Sequence, residues 1–315
     1  MSRYIVTADN HLRFDPPICR LDDDWLAFQQ KALLDIVSKA NEYECDLIIV
    51  GDLFDSYAVH SVIVSMFIDS MSALLGRCHI IGGNHTLKYH REENISESSI
   101  GIIKAIAGDN TGKIRYYTCQ EESIEGRFEH SYRLDDDITL VHTLVFPNED
   151  AIPFGAKGVA PEYLLEKFDT PWIFTGDMHH NFVYENGGRR VINPGCMAIQ
   201  NADELDYIPG VYYVDTGDKI DVSTLADKHK PVYRISNFEI AFIPIFNDTT
   251  MVTRNHLERN QKRDARMEAF VELIQLGRNV KLSFMDNLAE TLKKTLTSEE
   301  VDSIFDELKE ESHGV

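Results

Sequence analysis

No stretch of the 315-residue sequence is apolar for long enough to span a bilayer. The most apolar region, residues 58–75, is broken by His60, Ser65, Asp69 and Ser70. Its Val59, Ile63, Met66, Phe67, Met71 and Leu74 recur at helical spacing, so a core helix is expected there and no membrane span. The start, Met1-Ser2-Arg3-Tyr4, runs directly into a strand-like segment, so no signal peptide is expected. Cysteine is sparse. Cys19, Cys45, Cys78, Cys119 and Cys196 are odd in number and contain no C-x-x-C pair, which argues against a disulfide framework or a structural zinc site and for reduced thiols in a cytoplasmic setting. Positive charge is also short: 31 Lys and Arg stand against 52 Asp and Glu, a net charge of −21. That excludes a broad basic surface gripping nucleic acid unaided, though not an enzyme handed its substrate by a partner. Some of the acid excess is expected to be metal ligands, whose charge bound cations would offset. Internal repeats and low-complexity tracts are absent.

What is present is a rhythm of short apolar runs and amphipathic segments. Residues 4–8 read as a strand and residues 24–43 as a helix with Trp25, Phe28, Leu33, Ile36, Val37 and Ala40 on one face. Strands follow at 47–50 and 79–81, on either side of the helix at 58–75, and again at 138–142, 172–175, 211–214 and 232–246. Glu185-Asn186-Gly187-Gly188 marks a hairpin. The pattern predicts a layered α/β fold with a sheet between helices. Residues 1–225 are expected to form a catalytic domain and 226–250 a small β extension. Residues 251–315 are expected to be a helical appendage, including a capping box at Thr297-Ser298-Glu299-Glu300 ahead of a Val301, Ile304, Phe305, Leu308 stripe.

Five polar clusters each follow an apolar run: Asp9-Asn10-His11, Gly51-Asp52-Leu53-Phe54-Asp55, Gly83-Asn84-His85, His142 and Gly176-Asp177-Met178-His179. Taken singly, each has a bland explanation. Asp9 and His11 suit a turn, Asp55 a helix cap, Asn84-His85 a loop, and His142 a core position. Together, in this order and each at a strand end, they read as a set of imidazole, amide and carboxylate ligands for divalent ions. Two ions about 3.5–4 Å apart would clamp the attacking and leaving oxygens of a phosphate ester. Asp52 is the choice for the bridging carboxylate. His60, His79, His90 and His130 fit no ligand spacing and are assigned to surface or packing; Lys88, His90, Arg91, Arg189 and Arg190 read as solvated loop residues or as phosphate contacts.

The series D-x-H, G-D-x-x-D, G-N-H, a lone histidine and G-x-x-H resembles the signature of the calcineurin-like metallophosphoesterases, over roughly residues 4–200. Asp9-Asn10-His11-Leu12 and Asn193-Pro194-Gly195 resemble SbcD-type DNA repair nucleases, bacteriophage versions in particular. The resemblance implies a β-sandwich flanked by helices, with the small β segment acting as a cap. It also implies that Asp9, His11, Asp52 and His179 hold one metal and that Asp52, Asn84, His142 and Asp177 hold the other, with His85 at the scissile phosphate or leaving oxygen. The ions expected are manganese first, with magnesium, iron or zinc as alternatives. The implied activity is exonuclease or endonuclease cleavage at DNA ends in recombination and repair. The implied partners are DNA, an SMC-like ATPase of SbcC type docked on the C-terminal helices, and a second copy of the chain; the setting would be a host cytoplasm if the protein is viral. Two positions depart from the pattern. Asp177 stands where the family usually has histidine, which should favour a harder ion such as manganese. Thr86 stands where an acid often follows G-N-H, which should orient His85 less firmly. Alternatives are a phosphoesterase acting on nucleotides or other small phosphoesters, and a scaffold without activity.

Overall fold

The computed structural model describes residues 3–124, 127–201, 204, 207–216, 232–235, 238–254 and 271. The chain divides into two units, Met1–Arg254 and Asn255–Val315. Apart from Val271, the second unit lies outside the described residues, and with it most of the expected helical appendage.

The first unit is built on two sheets. One runs in the order β12-β13-β11-β1-β2-β3-β4, from β1 (Arg3–Thr7), β2 (Asp46–Val50), β3 (Cys78–Ile81), β4 (Ile114–Tyr117), β11 (Gly210–Asp215), β12 (Val232–Ile235) and β13 (Phe238–Pro244). The other runs β5-β6-β7-β8-β10-β9, from β5 (Gln120–Ile124), β6 (Arg127–Arg133), β7 (Ile138–His142), β8 (Trp172–Gly176), β9 (Phe182–Asn186) and β10 (Arg189–Asn193). The strands at 232–244 therefore continue the first sheet, pairing through β13 with β11. Helices α1 (Trp25–Glu42), α2 (Ser61–Ser72), α3 (Ile100–Ala107) and α4 (Pro161–Lys167) complete the unit.

Alternation along the strands sorts side chains into layers. Ile5, Leu47, Ile49 and Ile80 pack with Leu33, Ile36, Ile63, Phe67 and Met71 of α1 and α2. From the same strands, Tyr4, Val6, Ile48, Val50 and Ile81 face the opposite way, against Leu140, Phe174 and Ile192 of the second sheet. Val141, Ile173 and Val191 pack outward onto Leu164 and Leu165 of α4. The result is the layered α/β sandwich expected: helices, sheet, sheet, helix. No described helix is long and apolar enough to cross a membrane.

Local chemistry sets the ends. Asp24 caps α1 by accepting from the Ala27 N–H. Asp55 caps nothing; α2 starts later than its apolar pattern suggested, at Ser61, where His60 Nδ1 accepts from the Val62 N–H. Met66, Phe67 and Met71 are all buried, so that stripe belongs to the core.

Candidate metal centre

Strands β1, β2 and β3 run parallel, as do β7 and β8, so each set delivers its C-terminal residues to one end of its sheet. Beyond those ends the backbone bends sharply: Asp9 (φ 47°), His11 (φ 43°), Asp52 (φ 42°) and Asp177 (φ 83°) all sit in left-handed conformations. Such conformations cost of order 1–3 kcal/mol each and gather at functional sites. The first two loops are stitched together, His11 N–H donating to Asp52 O and Leu12 N–H to Leu53 O, both at 3.0 Å. Glycines permit the close approach. Gly51 (φ 79°) lies against the His142 ring, and Gly83 lies against Asp52 and His142.

These bends bring all eight expected residues into one neighbourhood. His142 Nε2 lies 3.2 Å from Asp52 Oδ2 and 3.0 Å from Asn84 Oδ1. Asn84 Nδ2 reaches Asp177 Oδ1 at 3.5 Å, and the Asp177 N–H donates to both Asp9 oxygens at 3.0 Å. His11 Nε2 is 4.0 Å from Asp52 Oδ2, and the His11 ring is 5.1 Å from those of His85 and His179. Asp9, Asp52 and His142 offer ligand atoms within 4.8 Å of one another, and so do His11, Asp52 and His85. Asp52 is common to both sets. Its Oδ1 accepts from the His85 N–H at 3.0 Å, while its buried Oδ2 faces the Nε2 atoms of His142 and His11.

Two of the site's histidines are held through Nδ1, and a third turns Nδ1 toward a carboxylate. His142 Nδ1 bonds Val50 O at 3.0 Å, His179 Nδ1 bonds Glu204 Oε1 at 2.8 Å, and His11 Nδ1 faces Asp55 Oδ1 at 3.5 Å. That leaves Nε2 free to ligate. His85 is exposed, with Nδ1 3.3 Å from Asp55 O. Thr86 has a different task from the one its position suggested: its hydroxyl donates to Gly83 O and accepts from the Gly83 N–H, both at 3.0 Å, so it ties the loop and leaves His85 alone.

Burial and the close approach of acids and imidazoles shift the titration of several of these groups. Burial pushes the Asp9 carboxyl up to about 6 against the pull of His142, His179 and His11. Burial also opposes charge on Asp52, but His142 beside it outweighs that and holds the carboxyl well below the usual range. Burial would discharge His142, yet Asp52, Asp9 and Asp177 raise it to about 10. His179 is raised to about 9, its burial overcome by Glu204 and Asp9. The mixed imidazole–carboxylate–amide donor set, gathered around the buried Asp52 carboxylate, fits two divalent ions.

With this geometry, the sequence comparisons become decisive for the family. A family model of calcineurin-like phosphoesterases matches residues 2–181. The chain belongs to that family. A search of curated proteins gave no match. Among solved structures, the chain is similar to an archaeal phosphodiesterase (14% identity, TM-score 0.36, covering 68% of this chain and 93% of that one). It is also similar to Vps29 of Entamoeba histolytica complexed with zinc (14%, TM-score 0.30, 68% and 86%) and to Vacuolar Protein Sorting 29 of Cryptosporidium parvum (13%, TM-score 0.33, 78% and 98%).

Not every basic residue named from the sequence is available to a substrate. Arg190 is fully buried with its guanidinium over Trp172, Arg189 donates to Phe168 O, and Lys88 pairs with Glu97. His90 Nδ1 approaches Asn84 O at 2.5 Å. Sequence reasoning missed Glu204 altogether, and it left His130 among surface or packing residues. His130 is 1% exposed and pairs with His142 across the β6–β7 ladder.

Proposed function

We propose that the chain is a two-metal phosphodiesterase whose substrates carry nucleobases. Asp9, His11, Asp52 and His179 would hold one ion, and Asp52, Asn84, His142 and Asp177 the other. The observation that carries this reading is the convergence of Asp9, His11 and His142 on the buried Asp52 carboxylate, with exposed His85 beside it. When bound, the ion pair supplies a water nucleophile at neutral pH and a clamp for the phosphate oxygens. Asp52, held ionised by His142 in spite of burial, would be the carboxylate shared by both ions, and His85 would deliver a proton to the leaving oxygen. Phe14, Tyr57 and Tyr89, all exposed, stand five positions after Asp9, Asp52 and Asn84 respectively. Aromatic faces at loops that follow the ligands suit stacking of bases, worth about 1–3 kcal/mol each.

A finer reading, a DNA nuclease that works with an SMC-like ATPase, draws support from Asp9-Asn10-His11-Leu12 and Asn193-Pro194-Gly195. The net charge of −21 makes a partner that carries the DNA part of that reading. The test is manganese-dependent hydrolysis of bis-p-nitrophenyl phosphate, a dinucleotide and linear duplex DNA by wild type, Asp52→Ala and Tyr89→Ala. Asp52→Ala should abolish all three activities, and Tyr89→Ala should weaken only those on nucleotides. Loss on all three substrates with Tyr89→Ala would remove the base-stacking argument. Deleting residues 251–315 should abolish co-purification with the ATPase; unchanged capture would refute that partner.

A further inference from the structure

Behind His179 stands a carboxylate that no ligand motif includes. Glu204 is 4% exposed, and both its oxygens are occupied. Oε2 accepts from the backbone N–H groups of Gln200 at 2.8 Å and Asn201 at 3.1 Å. Oε1 accepts from Asn201 Nδ2 at 3.0 Å and from His179 Nδ1 at 2.8 Å. The carboxylate is therefore fixed before it meets the imidazole. The rest of its segment grips the same loop: Asn193 Nδ2 donates to Met178 O and His180 O, and the Cys196 N–H donates to His179 O. Tyr207 closes the turn, its hydroxyl donating to Cys196 O at 2.9 Å and lying 3.2 Å from Pro194 O. Gly195 (φ 75°) passes so close that a side chain there would meet His179 O at 2.5 Å.

We infer that Glu204 is a positioning residue for the metal centre, accepting the His179 Nδ1 proton so that Nε2, in one tautomer and one orientation, is presented to an ion. This rests on the two-metal reading of the site. A carboxylate behind a ligating imidazole fixes its ring and raises its basicity. The rival use of the same atoms, a separate metal bound by His179, Cys196 and Glu204, is disfavoured by their chemistry. Cys196 is fully buried, which keeps its thiol protonated, and the lone pairs of Glu204 already serve four N–H donors.

The experiment is calorimetric titration of the metal-free full-length chain with manganese, for wild type, Glu204→Gln and Glu204→Ala. Wild type should bind two ions. Glu204→Ala should weaken one of them by about 10–100-fold and spare the other, with Glu204→Gln falling between because its carbonyl still accepts the bond. A second readout separates orientation from mere bracing. In the zinc-loaded chain, the His179 Nδ1 proton should be protected from water exchange in wild type and Glu204→Gln, and exposed to it in Glu204→Ala. Should Glu204→Ala fail to fold, the near-isosteric Glu204→Gln carries the test, and wild-type affinity for both ions in it overturns the inference. Unaltered two-ion binding by a folded Glu204→Ala overturns the inference alone. Absence of manganese binding by wild type overturns the two-metal reading, and this inference with it.

Discussion

Adding one methyl group at Gly83 should disable the site without replacing any of its Asp, Asn or His residues. A Cβ built there lies against Asp52 Oδ1, 2.5 Å from the Asp52 backbone nitrogen and 2.8 Å from His142 Nε2. Ordinary contacts of this kind are about 3.5–4 Å, so the two loops must part by roughly 1 Å. Neither neighbour can yield cheaply. Asp52 is fully buried in a left-handed conformation, and the His142 ring is pinned through Nδ1 to Val50 O. Overpacking of this sort costs about 1–3 kcal/mol, a drop in melting temperature on the order of 2–10 °C. A displacement of about 1 Å at a reacting centre costs about 100-fold in turnover. Gly112→Ala is the control, since no atom lies within 4 Å of a Cβ there. The assays are thermal melts with and without manganese, and manganese-dependent hydrolysis of bis-p-nitrophenyl phosphate. Gly83→Ala with wild-type turnover and an unchanged manganese-induced rise in melting temperature would refute the packing argument.

Three further outcomes follow from the same geometry. His142, at about 10, and His179, at about 9, are protonated in the metal-free chain at pH 7.5 and must lose those protons to ligate, so manganese binding should release about two protons. Affinity should then climb from pH 6.5 to 8.5 and level off near pH 10; calorimetry in buffers of differing ionisation enthalpy reads the proton count, and pH-independent binding contradicts it. His130 titrates near 4 because burial opposes its charge, with His142 adding repulsion. Above pH 6.5 it is neutral whether folded or unfolded, and below that only the unfolded chain takes the proton, so stability falls by about 3 kcal/mol between pH 6.5 and 4. In urea melts of metal-free protein His130→Phe should flatten that acid limb, and an unchanged slope would assign it to other groups. His85→Ala should bind manganese normally yet lose about 100–10,000-fold in turnover; equal loss of metal affinity would make His85 a ligand instead.

The ligand-bearing strands were legible because their signals coincide: a buried apolar run of four or five residues, then Asp, Asn or His where the chain must bend. That coincidence located Asp9, Asp52, Asn84, His142 and Asp177 in the loops or strand ends where the structure holds them. Strands β5 and β6 of the second sheet were not legible, since QEESI and RFEHSYR lack sustained alternation, β5 being an edge strand and β6 its neighbour. Helices α3 and α4 are eight and seven residues long, too short for a firm 3.6-residue period. Asp55 carried a local capping signal, but the segment from Ser56 to His60 intervenes before α2, which frees its carboxylate for His11 and Arg13. Glu204 sits twenty-five positions beyond its histidine, and only the packing of residues 193–201, Glu204 and Tyr207 against the His179 loop makes the two meet. No local pattern encodes such a contact.

The donors come from both sheets: Asp9, His11, Asp52 and Asn84 from beyond β1, β2 and β3, His142 from the end of β7, and Asp177 and His179 from beyond β8. Ions seated among them would rivet one sheet to the other across the apolar interlayer of Val6, Val50 and Phe174. The layers could then separate only after the ions depart, so metal loading acts on the escape rate from the native state and hardly on the rate of reaching it. In a cell the loaded chain's lifetime against proteolysis would be set by metal release, and metal supply would govern how much of the enzyme persists as well as how fast it works.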